Sequence, residues 1–304
     1  MNYERIRKAL GDGLLSFPIT DMKENGTFDA TSYADRINWF LQHEISSIFV
    51  AGGTGEFFSL SKAEYQEIID ISVKENNGKV PVLSSIGRSI PEAIEFAKMA
   101  EKAGVDGLLL MPPYLTESPK SGIVAYAKTI MQNTDLPVVY YNRANGTLGT
   151  KELVELADSC PNLVALKDGT GKIHELNDII KTLGDRLVYI GGVPTAEIIS
   201  EAYLAIGVNT YSSAVFNFVP DMAVAYYKAL RQGNSEKVTT ILKEFFIPFV
   251  RLRNQKSGYA VSLIKAGATL IGKPAGDVRA PLEMPNKEEV KELENIITKA
   301  KSLV

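Results

Sequence analysis

The chain has 304 residues, 45% of them hydrophobic, and its 33 Lys plus Arg against 36 Asp plus Glu leave a formal charge of -3. That length is ordinary for an α/β barrel with a small extension, the apolar share supplies a sizeable core, and the balanced charge without a basic stripe excludes nucleic acid as a partner. Cys160 is the single cysteine, which excludes an intrachain disulfide and fits a reducing compartment; beside Pro161 in a polar turn it is read as structural.

The N-terminal run MNYERIRKALGDG is charged and no apolar core follows it, so no secretory signal is expected. Eight short apolar runs then qualify as strands: Leu14 to Phe17, Ser47 to Ala51, Val80 to Ser84, Gly107 to Leu110, Val138 to Tyr141, Leu163 to Leu166, Leu187 to Ile190 and Val208 to Tyr211. They are apolar without alternation, as parallel strands covered on both faces should be. Amphipathic helical stretches intervene. Asp29 and Ser61 read as N-caps, Pro91 as a first-turn residue, and Gly104 as a C-cap. His43 is placed in the first of these helices and His174 near the start of the sixth.

The longest uncharged stretch, Ala202 to Pro220, contains Asn209, Thr210, Ser212, Ser213 and Asn217, so no membrane span is expected and a cytoplasmic protein is. Eight strand-then-helix units without a compositional break predict a (β/α)8 TIM barrel over 1–232. Helical segments at Glu236 to Asn254, Gly258 to Ile271 and Lys287 to Ser302 predict a C-terminal helical extension over 233–304, packed on the barrel. A doubly wound open sheet is the competing architecture.

In a barrel of this kind chemistry sits at the C-terminal ends of the strands. Lys167 follows the apolar run Leu163 to Leu166 directly, so its stem starts in the barrel wall. Partial desolvation there lowers an amine's pKa and frees it to attack a carbonyl; pairing with Asp168 or snorkelling to solvent is the alternative. Tyr141 ends the preceding strand, where a phenol can shuttle protons, or where an aromatic can simply fill the rim with Tyr140 facing the other way.

The turn Gly52-Gly53-Thr54-Gly55-Glu56 can offer consecutive backbone N–H groups to a carboxylate but matches no nucleotide fingerprint. Asp168-Gly169-Thr170-Gly171-Lys172 reads as a tight turn, and Glu56 and Asp168 read as structural rather than as magnesium ligands. No His, Cys and carboxylate cluster has ligand spacing, so neither metal nor organic cofactor is expected.

The GGTGE turn at Gly52 to Glu56, the pair Tyr141-Asn142 and Lys167 behind its apolar strand resemble the family of dihydrodipicolinate synthase and N-acetylneuraminate lyase, over nearly the whole chain. The resemblance implies that Lys167 forms a Schiff base, that Tyr141 is the catalytic tyrosine, and that Gly53 and Thr54 hold the carboxylate of a 2-keto acid. It also implies a homotetramer or homodimer. The sequence departs from the synthases at three places. Gly53 replaces the first of two adjacent threonines, Leu115 replaces a tyrosine that crosses a dimer interface, and Gly146 stands where an arginine holds the synthase's second substrate.

The strings AGGTGEFFSL, LLLMPPYL, YYNRANG, LKDGTG, GGVPTAE, TYSSAVFNFVP and RNQKSGYAVSLIKAG are more similar to a decarboxylating dehydratase branch of the family. That similarity implies a six-carbon keto-diacid as small-molecule substrate, losing water and carbon dioxide. Arg143, Asn145, Gly192, Ser212 and Ser213 then lie at strand ends where they could meet the rest of the substrate. An aldolase for 2-keto-3-deoxy sugar acids and a synthase-like enzyme are alternatives within the family. A keto-acid sensor without turnover is the alternative from another class, and it gives no reason to keep both Lys167 and Tyr141.

Overall fold

Strand alternation decides where each side chain of this protein goes, and it can be followed along one strand. In β5 (Val138–Asn142), Val139 and Tyr141 join the apolar cluster inside the barrel, while Val138 and Tyr140 pack outward under the helices. The computed structural model describes residues 3–304. Its strands are β1 (Leu15–Ser16), β2 (Ser47–Val50), β3 (Val82–Arg88), β4 (Gly107–Pro113), β5, β6 (Leu163–Asp168), β7 (Val188–Gly191) and β8 (Thr210–Tyr211). They form one parallel sheet in sequence order. A parallel bridge from Leu15 to Ser212, with the Ser213 amide on the Leu15 carbonyl at 2.9 Å, joins the last strand to the first. The eight-stranded TIM barrel is therefore present, and the open sheet is excluded.

Helices α2 (Ala30–Phe40), α3 (Lys62–Asn76), α4 (Ile90–Ala103), α5 (Lys120–Met131), α6 (Thr150–Ser159), α7 (Ile173–Leu183), α8 (Ser200–Ile206) and α9 (Pro220–Arg231) alternate with the strands. The caps follow the sequence. The Asp29 side chain accepts from the Ser32 amide, Ser61 forms a capping box with Glu64, and Gly104 takes the left-handed conformation at φ 84°. His43 lies beyond the end of α2 rather than within it, and its Nδ1 pairs with Asp221 at 3.0 Å.

Two features were not anticipated. A further helix (Tyr3–Gly11, α1) buries Ile6 and Leu10 against Leu15, Leu83, Val164 and Ile190, and so packs on the barrel-interior cluster. Strand β3 begins later and runs to Arg88, through buried Ser84 and Ser85. The Tyr65 hydroxyl donates to Ser84 Oγ at 2.9 Å, which allows a polar residue to continue the strand.

The extension comprises α10 (Ser235–Ile241), a π turn over Leu242–Phe246, α11 (Ile247–Arg253), α12 (Tyr259–Leu270) and α13 (Lys287–Lys301). The widened turn ends two positions before Pro248, which has no N–H for the α-helical ladder. A fully buried ion pair, Lys265 Nζ to Glu56 Oε1 at 2.8 Å, ties α12 to the GGTGE turn. The Arg279 backbone amide donates to Glu56 Oε2 at 2.9 Å. Breaking one side of such a pair would strand a buried charge, so the turn and the extension are fixed to each other. Among the described residues, no helix is long and apolar enough to cross a membrane.

Candidate active site

A cavity of about 330 Å³ opens at the C-terminal ends of the strands. Its floor comes from the barrel through Phe17, Leu109, Tyr141 and Lys167; its far wall comes from Phe249 and Arg253 of α11 and from Ala260, Val261 and Ile264 of α12. Phe249 and Arg253 stand four residues apart, hence on one face of their helix.

Lys167 and Tyr141 are register partners on β6 and β5. Both are buried. Lys167 Nζ sits 3.9 Å from the centroid of the Tyr141 ring and donates to the Gly192 carbonyl at 3.2 Å; the Tyr141 hydroxyl donates to the same oxygen at 2.9 Å. Burial pushes the Lys167 ammonium below its ordinary pKa, and the neighbouring Tyr141 oxygen opposes this only in part. Burial alone would push the Tyr141 phenol up, but the charges of Lys167 and Arg143 outweigh it, and the phenol ends below its ordinary value. Arg143 Nη1 donates to the Tyr141 hydroxyl at 2.9 Å. An amine that loses its proton readily therefore stands against a phenol that does the same, which is the pairing that imine formation and breakdown require.

Glycines make this approach possible. A Cβ on Gly192 would lie 2.6 Å from Lys167 Cγ and 2.7 Å from its Nζ; one on Gly169 would lie 2.8 Å from the Tyr141 ring. In the GGTGE turn the two glycines differ. A Cβ on Gly52 would strike the Phe17 ring at 2.4 Å, whereas one on Gly53 would meet nothing within 4 Å. Gly53 thus leaves open space at the cavity edge. The backbone amides of Gly53 and Thr54 serve no protein acceptor among the described residues, so this turn is able to take a carboxylate.

Of the residues expected to meet the substrate, Gly53, Thr54, Arg143, Gly192 and Ser212 line the cavity together with Lys167 and Tyr141. Asn145 sits in a short 3-10 turn over Ala144–Gly146, outside the lining. Ser213 faces away: its Oγ donates to Glu197 Oε1 at 2.6 Å. Asn142 is taken up in holding the following loop, exchanging hydrogen bonds with the Leu148 backbone. Asp168 accepts from Thr170, Gly171 and Tyr203, as a turn-forming carboxylate does. No group of three or more metal-ligating side chains lies together among the described residues.

Two residues without a role in the sequence reading stand out. Arg253 lines the cavity, its Nη1 donating to the Pro194 carbonyl at 2.7 Å and to Thr195 Oγ1 at 2.6 Å. Glu197 is fully buried behind Ser213, and burial pushes its carboxyl up to about 7. Both fall inside strings that carried the family resemblance, RNQKSG and GGVPTAE, which was the only signal they gave.

Comparison with known proteins agrees with this geometry. A probable 5-dehydro-4-deoxyglucarate dehydratase of Rhodococcus jostii is 49% identical, covering 97% of each chain, and one of Xanthobacter autotrophicus is 48% identical over 98% of each. The 5-dehydro-4-deoxyglucarate dehydratase of Pseudomonas putida is 45% identical over 98% of this chain and 99% of its own. Among solved structures, the dihydrodipicolinate synthase of Bacillus clausii superposes with a TM-score of 0.90 at 26% identity, covering 97% of this chain and 99% of that one. Residues 11–300 match the Dihydrodipicolinate synthetase family, and the chain belongs to that family.

Proposed function

We propose that this protein is a Schiff-base lyase that dehydrates and decarboxylates 5-dehydro-4-deoxyglucarate to 2,5-dioxopentanoate, carbon dioxide and water. The observation that carries the reading is the buried Lys167 amine held with Tyr141 on one carbonyl oxygen, within a chain whose relatives bear that activity in their names.

Lys167, as the neutral amine, attacks the C5 ketone while the Gly53-Thr54 amides hold the adjacent C6 carboxylate. Water leaves and an iminium forms. The iminium acidifies C4, and Tyr141, which gave its own proton to the departing water and is held as the phenolate by the charge of Arg143, takes that proton to give an enamine. The enamine expels the C3 hydroxyl as water, so an iminium conjugated to a C3=C4 double bond remains. Electrons of the C1–C2 bond then flow into this system and carbon dioxide departs from C1. Reprotonation of the dienamine at carbon, tautomerisation of the C2 enol to an aldehyde, and hydrolysis of the iminium release 2,5-dioxopentanoate and the free lysine. One covalent bond to Lys167 serves both eliminations.

Ser212 lines the cavity and is positioned to assist proton transfer to the departing hydroxyl, a role for which the synthase-type threonine at position 53 is missing. The same reading places the enzyme in the cytoplasm, without metal or organic cofactor. It is a homotetramer or homodimer in which the exposed Tyr114 and Leu115 lie at a subunit contact. The deciding experiment is incubation with 5-dehydro-4-deoxyglucarate. Stoichiometric carbon dioxide and 2,5-dioxopentanoate are expected, whereas pyruvate as the main product would replace the dehydratase by an aldolase.

A further inference from the structure

Two guanidinium groups, Arg143 and Arg253, line the cavity, and among the described residues neither has a carboxylate oxygen within 4.0 Å. Arg36 and Arg279, by contrast, are closely paired with Asp21 and Glu64. The field of the buried Glu197 reaches Arg253, but burial favours the neutral form of that carboxyl, so both cations lack a close counter-ion, which points to an anionic ligand. Arg143 is already committed to the Tyr141 hydroxyl. Arg253 is not bound to the reacting pair.

We infer that Arg253, on the C-terminal extension, binds the distal carboxylate of the keto-diacid and sets the preference for a diacid over a keto acid with an uncharged end. This rests on the function proposed above and deepens it. Nη1 of Arg253 is fixed by the Pro194 carbonyl and the Thr195 hydroxyl. Its Nε and Nη2, the edge that takes a carboxylate in bidentate fashion, converge instead on Asn254 Oδ1 at 3.2 and 2.9 Å. That acceptor is neutral and belongs to an exposed side chain, so a substrate carboxylate can displace it without breaking an ion pair.

The surroundings strengthen the argument. Phe249, Ala260, Val261 and Ile264 make the wall around Arg253 apolar, which strengthens a charge–charge contact. Thr195 is a β-branched residue held at φ 55°, a conformation costing on the order of 1–3 kcal/mol that persists only where its surroundings enforce it. One loop carries both ends of the proposed site. Gly192 receives Lys167 and Tyr141, and Pro194 and Thr195 receive Arg253. Three residues span at most about 11 Å, so the loop after β7 sets the separation between imine and arginine.

The test compares 5-dehydro-4-deoxyglucarate with the analogue bearing a primary alcohol in place of the distal carboxylate, and measures borohydride trapping of pyruvate, which has no distal end. In Arg253→Gln, KM for the diacid should rise about 10- to 10²-fold, the scale of a lost hydrogen bond to a charged group, while the alcohol analogue and pyruvate trapping change little. Arg253→Lys should recover part of the discrimination. Asn254→Asp, at an exposed position, supplies a tethered carboxylate and should raise the diacid KM about 10-fold with pyruvate trapping intact. An unchanged ratio between diacid and alcohol in Arg253→Gln overturns the inference, as does an equal loss of pyruvate trapping, which would make Arg253 a clamp on the β7 loop. Wild-type protein that trapped pyruvate but left the diacid unconverted would instead defeat the proposed function, and this inference with it.

Discussion

Lys167 and Tyr141 share one acceptor: the Gly192 carbonyl oxygen takes both Nζ and the phenol hydroxyl, at 3.2 and 2.9 Å. A carbonyl has two lone pairs, so both donors are satisfied at once, and the proposed nucleophile and its proton carrier are held side by side by a backbone atom that cannot titrate. Reduction with borohydride in the presence of pyruvate should add mass to the peptide containing Lys167. Lys167→Ala should abolish turnover, because among the described residues no other side chain lining the cavity offers an amine. A label on a different lysine would refute the assignment.

The shared acceptor depends on a missing side chain. Gly192→Ala would place a methyl group 2.6 Å from Lys167 Cγ. The cost in stability should stay near that of an overpacked core site, about 1–3 kcal/mol. Displacing Nζ should nevertheless reduce pyruvate trapping severely, by about 10²-fold, the scale of a nucleophile moved from its geometry. Circular dichroism and trapping measured on the same sample decide it. Near-normal trapping would mean that the lysine does not need its place on Gly192.

Arg143 should be read through the pH profile. Burial is the main force holding Lys167 below its ordinary pKa, and the positive charge of Arg143 adds to it. The same charge lowers Tyr141 against the opposing effect of burial. Removing it in Arg143→Gln lets both groups keep their protons to higher pH. The acid limb of kcat/KM, which reports the free amine, should therefore move upward. Tyr141→Phe should instead lower kcat by about 10²-fold or more while trapping still occurs. An acid limb that stays in place or moves down in Arg143→Gln would show that the arginine does not tune the pair.

The barrel and the place of Lys167 in its wall were legible because each depends on local pattern. Unbroken apolar runs mark parallel strands, and a lysine directly after one must begin in the barrel wall. The difference between Ser212 and Ser213 needed the structure. Neighbours at a strand end face opposite sides, and the run Val208 to Tyr211 does not say which serine turns inward. Arg253 and Glu197 were harder still. Arg253 meets Thr195 across 58 residues of sequence, and Glu197 meets Ser213 across 16, contacts that follow from how the extension and the β7 loop fold back. Strand β3 was read too short because Ser84 and Ser85 resemble a polar strand end, and only Tyr65, on the covering helix, shows how Ser84 is accommodated.

Glu197 supplies a prediction that does not involve turnover. Its carboxyl is wholly buried, Oε1 accepts from Ser213, and Oε2 has no hydrogen-bond partner among the described residues. Burial is the main cause of a pKa near 7 in the folded chain, against 4.5 for the unperturbed group. A carboxyl that holds its proton more tightly when folded favours folding while it is protonated. That contribution is fully present below about pH 4.5 and is lost as pH rises through about 7. The interval corresponds to roughly 3 kcal/mol. Glu197→Gln keeps the shape and an acceptor for Ser213 but cannot ionise. Urea unfolding should therefore find the variant close to wild type at pH 4.5, and more stable by up to roughly 3 kcal/mol at pH 8, with the gap opening between those limits. A stability difference that does not change with pH would mean that Glu197 is ionised in the folded protein throughout, with its charge met by Arg253, the cation whose field reaches it.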